Sequence, residues 1–493
     1  MEENLPINMS RSLKANLVLN TINTVTKLLF PLITFPYATR ILGPQGIGQV
    51  SFLSSIINYV VLFSSIGIPM YAIREVARVR NDSNKANITV IEIFVLHSIL
   101  TMIGYVAVVL LSLFVPEVQS NAPLFYILSL TLLFTAIGCE WFYSGIEDFF
   151  YITIRGIVVR ILSIFFLFLF VHSKDDLLLY GLYCVIGTVG GNLFNFIRLK
   201  KYISIDKSVF KEFKPLRHLK PSLEIFILNI VISVYLQLNT VMLGLYCDAE
   251  AVGMYTAATR LMAVILSLAN SIGPVIMPRT SNLIAENKIS EWKSLAQKVY
   301  NYSFAITLPL SIGLFFTSKY ALFLLCGQEF SPAIQAAQIV SPIIFIVMFS
   351  GFMGTQSLYP LGKVKIIIIC TSLGALSDLV LNILLIPRYT YNGAAFSYLF
   401  AEFVTSFSMF FFAKKIIPIN FASKSIVNYC LAGITMGGLL YILSLFDFDA
   451  FLGFLILSVC GALIYFGVLF LLKDDFVYTL LSLLNIKNKK ISQ

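Results

Sequence analysis

An all-α, polytopic membrane protein is the fold class this sequence predicts, and three observations predict it. Hydrophobic residues fill 58% of 493 positions and charged residues only 12%, where soluble domains hold about 45–50% apolar and about 25% charged residues. The apolar residues cluster into segments of roughly 20, the length that crosses a bilayer as a helix. Lys and Arg fall in short polar stretches on alternate sides of those segments, which is the pattern of a chain that crosses repeatedly.

The spans are predicted at 13–36, 47–69, 89–115, 122–143, 150–171, 177–197, 222–246, 253–277, 299–325, 334–358, 366–386, 392–413, 425–446 and 450–472. That is about fourteen transmembrane helices, with twelve or thirteen as the alternatives where the last two are closely coupled. With the N-terminus in the cytoplasm, 27 cations lie on the cytoplasmic side: Arg11 and Lys14 at the cytoplasmic start of span 1, and the rest in loops 70–88, 198–220, 278–298, 359–365 and 414–424 and in the tail. Four lie outside: Arg40, Lys174, Lys319 and Arg388. The reverse orientation inverts that bias, so both termini are placed in the cytoplasm. The net charge of +10 then reports topology and contact with anionic headgroups. Nucleic-acid binding is excluded as a reading, because the basic residues are dispersed over many short loops.

The first apolar stretch is too long for the core of a cleaved signal peptide, and no small-residue cleavage site follows it. Seven cysteines stand singly, at 139, 184, 247, 326, 370, 430 and 460. Without C-x-x-C or metal spacing they read as small core residues. A Cys247–Cys326 bridge is the one alternative.

The longest polar interruption, 198–220, divides six spans from six more, with a pair appended. The chain is therefore divided into an N-terminal lobe, 1–215, a C-terminal lobe, 216–415, and an extra helix pair with a tail, 416–493. A faint repeat supports the duplication: Ile47-Gly48-Gln49-Val50-Ser51 opens span 2 and Val252-Gly253-Met254-Tyr255-Thr256 opens span 8. A third echo, Asn392-Gly393-Ala394, opens span 12. Ordinary turn chemistry also places Gly at such corners. The two lobes enter from the same side, so the repeat is parallel.

Polar residues line up on certain spans. Span 1 carries Asn16, Asn20, Asn23 and Lys27 on one helical face, and span 2 carries Ser51, Ser54, Ser55, Asn58 and Ser65. Span 7 has Asn229, Ser233, Gln237 and Thr240, and span 8 has Thr256, Arg260, Ser267 and Asn270. Helix–helix hydrogen bonding is the plain explanation, but large amides and full charges fit better on a central water-filled cavity between the two lobes. Pro31, Pro36, Pro274, Pro309 and Pro342 interrupt spans, which lipid tolerates only beside protein or water.

With Lys14 and Lys319 at the ends of spans 1 and 9 counted on their two sides, four cations remain well inside spans: Lys27, Arg155, Arg160 and Arg260. A cation at mid-membrane costs about 2.5–3.5 kcal/mol on insertion scales and is usually paired or functional. Lys27 and Arg260 are assigned to the cavity; Arg155 and Arg160, near the start of span 5, are assigned to snorkelling toward the interface. Glu140, Asp378 and Glu402 are the acidic counterparts, either exchanging H⁺ or Na⁺ or only neutralising buried cations. His97 reads as packing, and His172 and His218 as loop residues. No catalytic triad, metal or cofactor motif is present, and no loop is long enough to house soluble catalysis.

Segment 34–80, TFPYATRILGPQGIGQVSFLSSIINYVVLFSSIGIPMYAIREVARVR, resembles the N-terminal signature of bacterial polysaccharide flippases. Further similar blocks are NTVMLGLYCDAEAVGMYTAATR at 239–260, PVIMPRTSNL at 274–283, GTQSLYPLGK at 354–363 and LNILLIPRYTYNGAAFSYLFAE at 381–402. The resemblance is to the polysaccharide-transport branch of the multidrug/oligosaccharidyl-lipid/polysaccharide exporter superfamily. It implies two six-helix lobes around a central cavity plus two extra helices, in the bacterial cytoplasmic membrane. It also implies alternating access and a lipid-linked oligosaccharide substrate, such as an undecaprenyl-pyrophosphate-linked O-antigen or capsule repeat unit. Other polysaccharide assembly proteins are the implied partners. Lys27 and Arg260 would then meet the pyrophosphate, and Asn16, Asn20, Asn23, Asn58, Asn229, Gln237 and Asn270 the sugar. A drug/cation antiporter of the same superfamily is the rival, and a membrane polymerase or ligase a more distant one.

Overall fold

Within a bilayer every backbone N–H and C=O needs an internal partner, and helices supply one for each residue. The computed structural model describes residues 13–203, 213–270, 273–417, 419–480 and 482, and among them there is no strand. The chain divides into two compact units, Met1–Gly253 and Met254–Gln493.

The first unit begins with α1, Leu13–Ser65, whose helical course is broken at Gly43 (φ 66°, ψ −176°). Its 53 residues would run about 80 Å if straight, more than twice the roughly 30 Å apolar thickness of a bilayer. Gly43 supplies a backbone conformation closed to other residues, and Pro44 restarts the helix where no N–H is needed. α2, Ile68–Val79, is amphipathic and buries Ile68, Tyr71, Ala72 and Val76. α3, Ser83–Phe114, is capped by the Asp82 carboxylate, which accepts the Lys85 N–H. After the one-turn α4, Pro116–Gln119, come α5, Ala122–Gly138, and α6, Glu140–Gly145, bent apart at Cys139. α7, Phe149–Phe170, is capped by Asp148. α8, Leu177–Val185, passes through a π turn at Ile186–Gly190 into α9, Asn192–Leu199. α10, Leu219–Tyr246, and the first turn of α11, Ala249–Asn270, complete the unit.

The repeated Gly motif has a physical basis in this unit. A Cβ on Gly48 would overlap the Ala249 carbonyl, and one on Gly253 would overlap the Pro44 carbonyl. The two glycines therefore serve one reciprocal close crossing of backbones.

The second unit holds the rest of α11, then α12, Gly273–Ala285, α13, Ile289–Cys326, α14, Ile334–Val340, α15, Ile343–Met353, and α16, Val364–Ala413. α16 is broken at Thr390 (φ 48°, ψ −130°). α17, Lys424–Ser444, and α18, Ala450–Leu471, pack on each other and on α13. Tyr300, Phe304, Phe352 and Tyr429 form the aromatic centre of this unit's core.

Ten helical segments among the described residues are long and apolar enough to cross a membrane, or eleven if the bent α8–α9 pair is one crossing. The expected count of fourteen is not reached on that criterion. α1 holds expected spans 1 and 2 on either side of the break at Gly43, and α16 holds expected spans 11 and 12 on either side of the break at Thr390. Cys139, Cys370, Cys430 and Cys460 are free thiols.

Candidate functional site

In the first unit, α1, α6, α7 and the π turn before α9 converge on a small polar cavity of about 40 Å³, lined by Asn23, Lys27, Glu140, Arg155, Arg160 and Asn192. Asn23 and Lys27 stand four residues apart on one face of α1. The π turn shifts the register of the chain just before Asn192, a distortion often found at functional positions. Gly156 and Gly191 keep the walls low, since a Cβ at Gly191 would sit 3.1 Å from Arg155 Nε.

Hydrogen bonds fix the two guanidinium groups. Arg155 Nη2 donates to Glu140 Oε2 at 3.0 Å, and its Nη1 to Asn192 Oδ1 at 3.3 Å. Asn192 is itself oriented, because its Nδ2 donates to the Phe134 carbonyl at 3.0 Å. Arg160 donates from both Nη atoms to Asn23 Oδ1, each at 3.3 Å. Its buried position is thus satisfied by a neutral acceptor. The Thr153 hydroxyl donates to the Leu19 carbonyl and ties α7 to α1.

Three cations face one carboxylate here, which leaves two formal positive charges in excess. Burial differs along the pair: the Arg155 side chain is 9% exposed and Glu140 is 42% exposed. In low dielectric such a set attracts an anion more strongly than the same groups do in water.

A second, larger pocket of about 400 Å³ lies in the same unit, mostly apolar, with Asn58, Gln237, Thr135, Phe226, Gly67 and Met70 on its walls. The structure thus brings Asn23, Lys27 and Glu140 into one cavity, and Asn58 and Gln237 into another. Arg260 is an exposed residue of α11 in the second unit. Asp378 and Glu402 are buried on the two arms of α16, both near enough to Tyr398 to act on its hydroxyl electrostatically. The side chains of Asn16, Asn20, Asn229 and Asn270 lie outside the described residues.

Arg155 and Arg160, assigned above to the interface, both line the polar cavity. Their separation of five residues places them about 140° apart around a helix, so no one-face pattern could mark them. Among the described residues no group of His, Cys, Asp or Glu is arranged to hold a metal ion.

A protein named "Putative O-antigen transporter" from Escherichia coli (strain K12) is 24% identical over 348 residues, covering 70% of this chain and 83% of that protein. One of the same name from Shigella dysenteriae is 25% identical, covering 79% of this chain and 97% of that protein. Among solved structures, the lipid II flippase MurJ in an inward closed conformation superposes with a TM-score of 0.73 at 17% identity, covering 93% of this chain and all of that one. An inward-facing multidrug resistance transporter of the MATE family, in the MOP superfamily, superposes with a TM-score of 0.59 at 14% identity, covering 82% and 98%. The fold is therefore that of these transporters. The sequence pattern of the family described as "Polysaccharide biosynthesis protein" matches residues 13–284, more than half of the chain, and the protein belongs to that family.

Proposed function

We propose that this protein is a flippase that moves undecaprenyl-pyrophosphate-linked oligosaccharide repeat units from the inner to the outer leaflet of the bacterial cytoplasmic membrane by alternating access. The observation that carries this reading is the excess of cations over carboxylates in the cavity of Asn23, Lys27, Glu140, Arg155, Arg160 and Asn192. A pyrophosphate must shed water to cross a bilayer, and planar guanidinium groups compensate its charge with paired hydrogen bonds. The relatives named as O-antigen transporters support the substrate class, and the likeness to a lipid II flippase supports the fold for it.

In this reading Lys27, Arg155 and Arg160 in the first unit and Arg260 in the second draw in the pyrophosphate. Asn16, Asn20, Asn23, Asn58, Asn229, Gln237 and Asn270 meet sugar hydroxyls. Glu140, Asp378 and Glu402 exchange H⁺ or Na⁺ to drive the cycle, and both termini face the cytoplasm. An antiporter for cationic drugs would want carboxylates in excess, the opposite of the charge balance around Lys27.

Complementation of a flippase-deletion strain of defined surface glycan tests the function, with lipid-linked intermediates as the readout. Lys27→Ala combined with Arg260→Ala is expected to abolish export at normal protein levels. Each of Arg155→Gln and Arg160→Gln is expected to lower it by roughly ten- to a hundredfold, the equivalent of one lost charged hydrogen bond. Full export by the Lys27/Arg260 double variant would sink the site assignment.

A further inference from the structure

A second knot of charge lies away from the cavity, where the connection after α9 returns to the first unit. Glu92 on α3 has no exposed surface. Its carboxylate accepts hydrogen bonds from the Lys214 backbone N–H, from the Arg217 guanidinium and, at 2.9 Å, from His218 Nε2. The Tyr71 hydroxyl on α2 lies 2.7 Å from His218 Nδ1. Arg217 Nε also points at His218 Nε2, at 3.4 Å, so Arg217 touches both the carboxylate and the imidazole. The other charged groups around this knot are Arg74 and Glu75, both from α2.

α10 starts at the next residue, Leu219. Its first two turns lie directly on the chain at Gly67, where φ is +69° and a Cβ would come within 2.9 Å of the Phe226 N and closer still to the Ser222 carbonyl. Phe226 meets Phe63 edge to face at 5.8 Å. Phe226, Gly67 and Met70 are also walls of the 400 Å³ pocket. The buried carboxylate, the connection and one wall of the pocket are therefore consecutive links of one structure.

We propose that Glu92 is a latch: its three hydrogen bonds seat the first two turns of α10 on Gly67 and keep that wall of the pocket closed. Neutralising the carboxylate frees residues 214–218, lets α10 lift at Phe226 and opens the pocket. This inference rests on the proposed function only in taking the pocket as part of the working site; the latch itself is a property of the first unit.

The test uses the full chain with its native cysteines replaced by Ala and one cysteine introduced at Thr135, on the pocket wall. The rate of labelling by a charged methanethiosulfonate reagent is the readout. Glu92→Gln is expected to raise that rate at least about tenfold, and Arg217→Gln and Tyr71→Phe, which each leave the Lys214 and His218 bonds to Glu92 in place, to raise it less. An unchanged rate in Glu92→Gln overturns the latch. Where that variant does not fold, unchanged rates in both Arg217→Gln and Tyr71→Phe overturn it. Labelling is read without transport, so a chain that labels as expected yet moves no lipid-linked sugar refutes the flippase reading and leaves the latch standing.

Discussion

Asn23 gives both Nη atoms of Arg160 a single acceptor oxygen, and a buried guanidinium with few partners depends heavily on it. Asn23→Leu keeps the volume and removes the acceptor. It is expected to destabilise the protein by about 1–3 kcal/mol, read as a lower unfolding temperature in detergent, whereas Asn23→Asp should retain stability by pairing with Arg160. His218 sets a pH dependence of known sign. Burial pushes its pKa below the usual 6.5, against the opposing pull of Glu92, so the folded state prefers the neutral ring. That contribution is present above about pH 6.5 and is lost as the pH falls below it. Unfolding scans at pH 7.5 and 5 should show a larger acid-induced loss in the parent than in His218→Gln. Asn23 and Lys27 were legible in the sequence because four-residue spacing marks a helical face. Glu92 was not, since an acidic residue inside an apolar span carries no sign of the distant His218 that binds it. His218 read as an ordinary loop residue for the same reason.

Breaks inside the long helices were legible only in part. Pro44 follows Gly43 in the sequence and announces a turn there, and the structure turns at that glycine. The break at Thr390 falls in the expected loop between spans 11 and 12, but the residue that bears it is unmarked: a β-branched residue holds φ 48° there, where glycine would be unstrained. Thr390→Gly is accordingly expected to raise stability by about 1 kcal/mol, and Gly43→Ala to lower it by about 1–3 kcal/mol; unfolding temperatures of the two variants check both signs. The bend through the π turn at Ile186–Gly190 was invisible in composition, because Gly187, Gly190 and Gly191 read equally well as close-packing positions in a straight span. That bend brings Asn192 to Arg155, so the unseen distortion is also what completes the cavity.

At the scale of the whole molecule, the alternation of Lys and Arg makes a claim about sidedness. Cysteines introduced at Ser173 and at Glu286, both exposed, should react with an impermeant reagent from opposite faces of the membrane, Ser173 from outside and Glu286 from within. Labelling of both from one face would overturn the assigned orientation. The all-helical class was plain from composition, but the course of each crossing was not, because one pair of expected spans is parted only by the break at Gly43, another only by the break at Thr390, and a further span bends through the π turn. The charged cavity also bears on how the protein is made. Lys27 emerges from the ribosome first and must enter the bilayer long before Arg155 and Arg160 exist to share its surroundings. Glu140 precedes Arg155 by only 15 residues, close enough for the two to enter as a paired hairpin that offsets part of the roughly 2.5–3.5 kcal/mol cost of a lone cation. Removing Glu140 should therefore first be felt during synthesis, as chains whose α7 fails to insert and which quality-control proteases destroy.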